Sequence, residues 1–166
     1  YTSSTTCNYD NNGLEQCCGK ATIIFIAANV VNIGYGAFSL CDTVTAVDFS
    51  AASLLQTIGN RAFYSMNVLA SVDMSGATQL ETIVELAFYN CSLLASVKLA
   101  SSITTIESKA FKNTDLLNTA ATVDFNGVNC QTATAVATAS GASHSPFDFA
   151  CPPPTAQPTI TPTSSP

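Results

Sequence analysis

One short pattern, Ile-x-x-x-Ala-Phe, constrains the fold of this chain more than any other feature, because it recurs four times at nearly constant spacing. The phenylalanines of the four copies follow one another after 25, 25 and 23 residues: Phe38, Phe63, Phe88 and Phe111. A second apolar block, at residues 47–49, 72–74, 97–99 and 123–125, keeps nearly the same period. Two apolar columns that share one period predict a solenoid, in which successive coils stack and bury each other's apolar side chains.

Each repeat unit predicts one strand and one turn. The segment 97–99 alternates between apolar and charged side chains, which is typical of a short strand with one buried face. Ile83, Ala87, Phe88 and Cys91 are spaced as on one face of a short helical turn. We therefore expect an α/β solenoid with a parallel strand ladder, short helical or irregular turns on the convex side, and the phenylalanines as an internal spine.

The repeat units from residue 33 to residue 111 resemble a known family. Stretches such as IGYGAFSLCDTVTAVDFS and IVELAFYNCSLLASVKLASSITTI are similar to the BspA-like leucine-rich repeats of bacterial and protist surface proteins, and the resemblance covers roughly residues 22–126. It departs from the family after each strand, where Ser50, Ser75 and Ala100 stand in place of the usual proline. The resemblance implies an extracellular or cell-surface location, a role in adhesion or interaction, and no shared catalytic site.

The repeat divides the chain into four segments. Residues 1–21 carry three cysteines and a turn-forming Asp-Asn-Asn-Gly stretch, which predicts a Cys-rich N-terminal cap. The solenoid is expected to cover residues 22–126, and residues 127–151 are expected to form a C-terminal cap. Residues 152–166 are rich in Pro, Thr and Ser, which predicts an extended tail.

Seven cysteines in a chain of 166 residues favour an oxidising compartment and disulfide-bearing caps. One period before Cys41 the sequence reaches Cys17 and Cys18, so one of these two can lie a single coil away from Cys41, close enough for a disulfide. Cys91 lies two coils from Cys41 and is expected to be a buried free thiol. The disulfide candidates are Cys7, Cys17, Cys18, Cys41, Cys130 and Cys151.

Charged residues make up only 10% of the chain, so its surface must consist largely of Ser, Thr, Asn and Ala, as suits a secreted glycoprotein or a subunit covered by its neighbours. The net charge is −6 and the five basic residues are not clustered, which argues against nucleic acid as a partner. No apolar run approaches the roughly 18 residues of a membrane-spanning helix, so no membrane span is expected. A start at Tyr1 fits a chain whose signal peptide has been removed, although any trimmed chain would look the same.

Two kinds of glycan acceptor are predicted. Asn90 begins the Asn-Cys-Ser sequon, whose middle residue belongs to the core column, so Asn90 itself is expected at the surface. The tail supplies hydroxyl groups for O-glycosylation, with candidates Thr155, Thr159, Thr161, Thr163, Ser164 and Ser165.

Four charged residues share the outward position of the strand column: Asp48, Asp73, Lys98 and Asp124. Stacked carboxylates repel each other, and Lys98 can neutralise its neighbours Asp73 and Asp124. Ca²⁺ between Asp48 and Asp73 is an alternative, but a flat sheet offers few of the seven or so oxygens that Ca²⁺ takes, so no metal is expected. The sequence therefore predicts a solvated or interface ladder, and these residues are the candidates for binding a partner on the strand face.

Signatures of catalysis are weak in this sequence. The single histidine, His144, has a serine on either side and Asp148 nearby, yet no nucleophile elbow surrounds them. Glu81, Glu85 and Glu107 occupy exposed positions of the repeat, where solubility explains them better than glycoside hydrolysis. We therefore predict that the chain is not an enzyme and needs no cofactor.

Two functional hypotheses follow from these features. The first is a non-catalytic extracellular structural glycoprotein that self-assembles through its solenoid ends and C-terminal tail into a surface fibre or polymer. Low charge and an apolar strand at residues 22–26, which has no polar face, motivate it. The alternative is a monomeric adhesion or recognition module that binds an extracellular protein or glycan on its strand face. Tyr64 and Tyr89, which follow the phenylalanines, are expected to stack outside the spine.

Overall fold

The computed structural model describes residues 6–9, 21–114 and 122–124 of the chain. Within them the chain forms ten short β-strands and no helix. The strands are β1 (Thr6–Tyr9), β2 (Ile23–Ile26), β3 (Asn32–Ile33), β4 (Ala46–Asp48), β5 (Thr57–Ile58), β6 (Ser71–Asp73), β7 (Thr82–Ile83), β8 (Ser96–Lys98), β9 (Thr105–Ile106) and β10 (Thr122–Asp124). All pairings between these strands are parallel, because each coil returns to the same side of the solenoid before the next begins.

The second apolar block of the repeat forms a six-stranded parallel sheet in the order β1-β2-β4-β6-β8-β10. Val72 pairs with Val47 on one side and with Val97 on the other, which is the register that the period predicts. These valines are buried, and the residues on either side of each point outward. The predicted parallel strand ladder is therefore confirmed. It starts with β1, which lies inside the predicted N-terminal cap of residues 1–21.

A second sheet, of four strands in the order β3-β5-β7-β9, was not predicted. Its strands are two residues long and contain the isoleucine of each Ile-x-x-x-Ala-Phe block, such as Ile58 in β5 and Ile83 in β7. The isoleucine side chains point into the core and the threonines beside Ile58 and Ile83 are half-buried. The spacing of Ile83, Ala87, Phe88 and Cys91 predicts a helical turn, and this prediction is wrong for Ile83, which lies in β7.

The turns that follow, at residues 35–40, 60–65, 85–90 and 108–113, are not helical either. A helix would bond its N–H groups within the coil. Here the N–H of Phe63 donates to the carbonyl of Ala87, and that of Ser65 to Tyr89, each at 2.8 Å. Alternate N–H groups can point along the solenoid toward the next coil because φ is positive two residues before and two residues after each spine phenylalanine. These residues are Gly36, Leu40, Arg61, Ser65, Leu86, Asn90, Lys109 and Asn113.

The phenylalanines form the predicted internal spine. The rings of Phe63 and Phe88 are 4.9 Å apart and nearly parallel, those of Phe38 and Phe63 are 5.2 Å apart, and those of Phe88 and Phe111 are 5.1 Å apart. All four rings are fully buried. Phe49 meets Phe63 edge to face at 6.1 Å and links the spine to the six-stranded sheet. The core is therefore one continuous cluster that runs along the solenoid.

Two cysteines have described side chains, and they differ. Cys41 is disulfide-bonded, and its partner lies outside the described side chains. Cys91 is a buried free thiol, as expected. The segments assigned to the C-terminal cap and the tail lie outside the described residues. So do the candidates Cys17, Cys18, Cys130, Cys151, His144, Asp148, Thr155, Thr159, Thr161, Thr163, Ser164 and Ser165, together with the side chains of Cys7 and Asp124.

Candidate binding site on the six-stranded sheet

The outward column of the six-stranded sheet brings the predicted charged residues together. Phe25 pairs with Asp48, Asp48 with Asp73, and Asp73 with Lys98, each on adjacent strands. The backbone of Asp124 in β10 pairs with that of Lys98. The parallel register therefore places an aromatic ring, two carboxylates and an ammonium group in one line across the sheet.

A groove of about 490 Å³ lies on this face, between β2 and the loop after β6. Its floor is low because Ala46 and Ser71 have small side chains, and its apolar wall consists of the half-exposed Ile23 and Phe25. The lining residues are Ile23, Phe25, Ala46, Val47, Asp48, Ser50, Ser71, Asp73, Ser75 and Gly76. The groove thus joins an apolar surface to two carboxylates.

The two carboxylates have different partners. Asp73 forms an ion pair with Lys98, with 3.7 Å between Oδ2 and Nζ. Partial burial alone would raise the pKa of Asp73, but hydrogen bonds from the Ser75 hydroxyl and N–H, and the charge of Lys98, together hold it below its ordinary value. Asp48 accepts a hydrogen bond of 2.7 Å from the Ser50 N–H and, among the described residues, has no ion pair. Asp48 therefore keeps a charge that a ligand can neutralise.

The turns beside the groove depend on these same residues. Each aspartate side chain accepts the N–H of the serine two residues later, and this hydrogen bond closes a tight turn after the strand. Gly76 follows Ser75 in the second turn and packs closely on the preceding coil. Only glycine fits there, because a Cβ would lie 2.6 Å from both the Phe49 carbonyl oxygen and the Ser50 Cα. The aspartates therefore shape the groove as well as charge it.

The repeat geometry agrees with the comparison with known families. A family model described as the BspA type leucine rich repeat region matches residues 10–130 in six copies. The chain belongs to the BspA-type leucine-rich repeat family. No curated protein and no solved structure matches it. BspA-type proteins are typically found at the cell surface or outside the cell, and leucine-rich repeats typically mediate protein–protein interactions rather than catalysis.

The family match extends beyond the residues that carry the resemblance in the sequence. It begins at residue 10, whereas the resemblance covers roughly residues 22–126. In this BspA-type chain, the Asp-x-Ser turns described above stand where the family usually has proline, at Ser50 and Ser75. A hydrogen bond from the serine N–H, which proline lacks, fixes the turn instead.

Sequence reasoning predicted the charged members of this site in the BspA-type solenoid but missed the groove. Asp48, Asp73 and Lys98 lie on the outward face as expected. The apolar second face of the strand at residues 22–26 is predicted to be a covered surface, but its position as the wall of a groove beside Asp48, formed by Ile23 and Phe25, was not predicted. The low floor was missed because a small side chain at one outward position predicts a depression only when the side chains beside it on the neighbouring strands are known.

The remaining candidates give no sign of catalysis within the described residues. Glu81 and Glu107 are exposed, while Glu85 is half-buried and pairs with Lys109 at 3.6 Å. Residues 6–9, 21–114 and 122–124 contain no cluster of three or more metal-ligating His, Cys, Asp or Glu side chains. The same residues include no helix with the length and apolar character that crossing a bilayer requires.

Asn90 and Cys91 lie side by side on the turn but in different surroundings. The Asn90 side chain is half-buried, and its Nδ2 donates to the Ser65 hydroxyl at 3.2 Å. Because the same Nδ2 atom would carry a glycan, glycosylation of Asn90 would leave it only one hydrogen for this bond. Burial raises the pKa of the Cys91 thiol to about 12, despite a hydrogen bond from the Met66 backbone. The thiol donates to the Phe63 carbonyl at 3.0 Å and is protonated at neutral pH, so it is unreactive.

Proposed function

We propose that this chain is a non-catalytic extracellular adhesion module that binds a protein partner on the outward face of its six-stranded sheet. The observation that carries the proposal is the groove, where the apolar wall of Ile23 and Phe25 adjoins the carboxylate of Asp48. Protein interfaces combine buried apolar anchors with charge pairs in this way. Membership of a family that typically mediates protein interactions supports the same conclusion.

The groove also indicates the chemistry of the partner. Its apolar wall favours an aliphatic or aromatic side chain, and Asp48 favours a lysine or arginine placed next to it. Because Lys98 already neutralises Asp73, a single cation is sufficient. We therefore propose an extended segment of a partner protein that presents one apolar and one cationic side chain to this face.

A selection of random peptides displayed on phage, carried out against the intact chain, tests this proposal. We expect the selected peptides to share an apolar residue close to Lys or Arg. Asp48→Asn removes the charge and Phe25→Ser removes the wall, so each should weaken binding of a selected peptide by roughly tenfold or more.

Matched controls keep the experiment specific. Asp42→Asn removes the same charge at another exposed position, and Leu93→Ser removes a side chain that is 55% exposed elsewhere on the surface. Both should bind the peptides like the unmodified chain. Peptides with no common pattern, or equal losses in the control variants, would contradict binding at the sheet face.

Self-assembly into a fibre remains a separate prediction. Its proposed contacts are the solenoid ends and the C-terminal tail, of which the tail lies outside the described residues, as do the candidate O-glycosylation sites. Light scattering of the glycosylated, secreted protein over a range of concentrations would test it. Particles larger than one chain at low concentration would support assembly, whereas a strictly monomeric species would reject it and leave the adhesion proposal intact.

A further inference from the structure

The turns at residues 35–40, 60–65, 85–90 and 108–113 form a separate face, here called the turn face, and it contains a second depression. The depression has a volume of about 450 Å³, within the range of ligand pockets, and is lined by Tyr35, Gly36, Ser39, Arg61 and Tyr64. It shares no residue with the groove in the sheet. Any ligand here therefore binds independently of the function proposed above.

An interrupted stack of rings creates this depression. Tyr64 and Tyr89 occupy equivalent positions in adjacent coils, and their rings stack 5.3 Å apart with an angle of 7° between them, as the sequence predicted. The equivalent residue of the preceding coil is Ser39. Because serine is small and Gly36 beside it has no side chain, a space about one ring wide opens next to Tyr64. Tyr35, which is 72% exposed, stands beside it.

The chain's single arginine is fixed in this space. Arg61 Nη1 donates to the Tyr35 hydroxyl at 2.9 Å, and the guanidinium carbon lies over the Tyr64 ring, 5.7 Å from its centre. Neither of the ion pairs formed among the described residues includes Arg61. Two tyrosines therefore hold a guanidinium in place while most of its five N–H groups stay available to an acceptor from outside.

The turn face is basic, although the whole chain is acidic. The four turns contain three basic side chains, Arg61, Lys109 and Lys112, and one acidic side chain, Glu85, which pairs with Lys109. Glu107 directly precedes the fourth turn and its Oε2 accepts the Glu85 N–H, so this face has three basic and two acidic side chains. The other acidic side chains of the described residues lie outside the four turns. An anionic ligand is therefore attracted to this face despite the net charge of −6.

We propose that the depression binds an acidic pyranose, a sugar ring that bears a carboxylate. The carboxylate accepts two parallel hydrogen bonds from Arg61, a geometry for which a guanidinium is suited. The sugar ring packs against the exposed Tyr35, whose negative ring face attracts its C–H groups, because the Tyr64 ring is already covered by Tyr89 and by the Arg61 guanidinium. The hydroxyls of Ser39 and Tyr35 reach those of the sugar. An aspartate or glutamate of a peptide would also pair with Arg61, but it would leave the ring-sized space empty.

Titration of the full chain with fluorescently labelled trigalacturonate, followed by anisotropy, tests this inference. We expect saturable binding that falls by about tenfold or more in Arg61→Gln, because a bidentate charged contact is lost. Lys109→Gln is the matched control: it removes one charge at the equivalent position two coils later, where φ is also positive. It should change the affinity by less than about twofold. Ser39→Tyr, which fills the space with the ring that later coils carry, should abolish binding while circular dichroism remains unchanged.

Two further probes identify what the depression recognises. The methyl ester of the same trisaccharide keeps the rings but loses the charge, and should bind about tenfold more weakly or worse. Tri-glutamate keeps the charges but lacks the rings, and should bind weakly as well. The proposal is overturned by any of four results: no saturable binding, equal losses in Arg61→Gln and Lys109→Gln, equal affinity for the ester, or equal affinity for tri-glutamate.

Discussion

The sheet face and the turn face repeat with the same period, yet the backbone builds them in different ways. On the sheet face, β4, β6 and β8 are ordinary strands, and the shape of the surface depends on the size of each outward side chain. On the turn face, every coil places two residues at positive φ so that alternate N–H groups reach the next coil. One repeat therefore contains two faces with different requirements: side-chain size matters on the sheet face, and backbone conformation matters on the turn face.

The two faces also differ in charge. The sheet face presents Asp48 and Asp73 with Lys98, whereas the turns carry Arg61, Lys109 and Lys112 against Glu85. Each face therefore attracts a ligand of the opposite sign. The following substitutions test how far the stability of the sheet face and that of the turn face are independent. The first is in the phenylalanine spine, which both faces share.

Phe63→Ala should cause the largest loss of stability, about 3–5 kcal/mol in the free energy of unfolding measured with urea. The ring is fully buried between Phe38 and Phe88 and also contacts Phe49, so its loss removes packing beneath both the turn face and the sheet face. Tyr64→Ala, which removes the next side chain outside the spine, should cost only about 1 kcal/mol. A loss below about 1 kcal/mol for Phe63→Ala would show that the two faces do not share a core.

Gly76→Ala tests the space requirement on the side of the sheet, and should lower the free energy of unfolding by about 1–3 kcal/mol. The new Cβ would meet backbone atoms of the preceding coil at 2.6 Å, and backbone cannot move aside as a side chain can. Gly34→Ala is the control, because a Cβ there has no neighbour within 4 Å. That variant should be neutral or slightly more stable. Equal effects in the two variants would remove close backbone approach as the explanation.

Raising the pH tests whether the core beneath the turn face, where Cys91 is buried, excludes water. The pKa of Cys91 is about 12 in the folded chain and near 9 when unfolded, so the thiol stabilises the fold fully below pH 9. Between these values the unfolded chain loses the proton first, and the free energy of unfolding should fall by up to about 1.4 kcal/mol per pH unit. Urea titrations from pH 7 to 11 measure this slope. Cys91→Ala, in which the thiol is absent, should show a shallower slope, and identical slopes would indicate a hydrated thiol.

Leu40→Gly should produce the smallest effect, a gain of about 0.5–1 kcal/mol. Leu40 is 63% exposed and has a φ of 64°, a conformation that costs a leucine free energy and costs a glycine little. Leu54→Gly is the counterpart: Leu54 is also exposed but is not among the residues with positive φ, so glycine should lower stability there by up to about 1 kcal/mol. Thermal unfolding of both variants compares them. A shift of the same sign in each would mean that backbone conformation does not distinguish the faces.

The sequence predicted those features that place a buried apolar side chain at the same position of every coil. The valine column and the phenylalanine spine were recognised because an apolar residue in every coil has few explanations other than stacking. The same reasoning failed for Ile83 to Cys91, where the spacing suits a helix but alternate N–H groups of the turn, such as those of Phe88 and Asn90, bond to the next coil. Apolar spacing reports which side chains are inside, and it does not report where the backbone hydrogen bonds go.

The candidate site was predicted in part for a related reason. Alternation along the strand was enough to place Asp48 and Asp73 outward, and the period placed them side by side. The groove depends on differences between coils, such as the large Phe25 in β2 and the small Ser71 in β6. The depression beside Arg61 likewise depends on Ser39, where the next two coils have tyrosine. A repeat pattern averages over such differences, so it cannot predict them.

The phenylalanine rings stack at a regular spacing of 4.9–5.2 Å, and this spacing limits which insertions can lengthen the solenoid during evolution. A duplicated whole coil would bring its own phenylalanine to this pitch and give it the same neighbours, whereas an insertion of a few core residues would leave one ring without a partner. The groove ends at Gly76 and the arginine depression ends at Tyr64. Coils added after β9 would therefore lengthen the protein without altering either surface or the ion pair between Lys98 and Asp73, so reach and recognition can evolve separately.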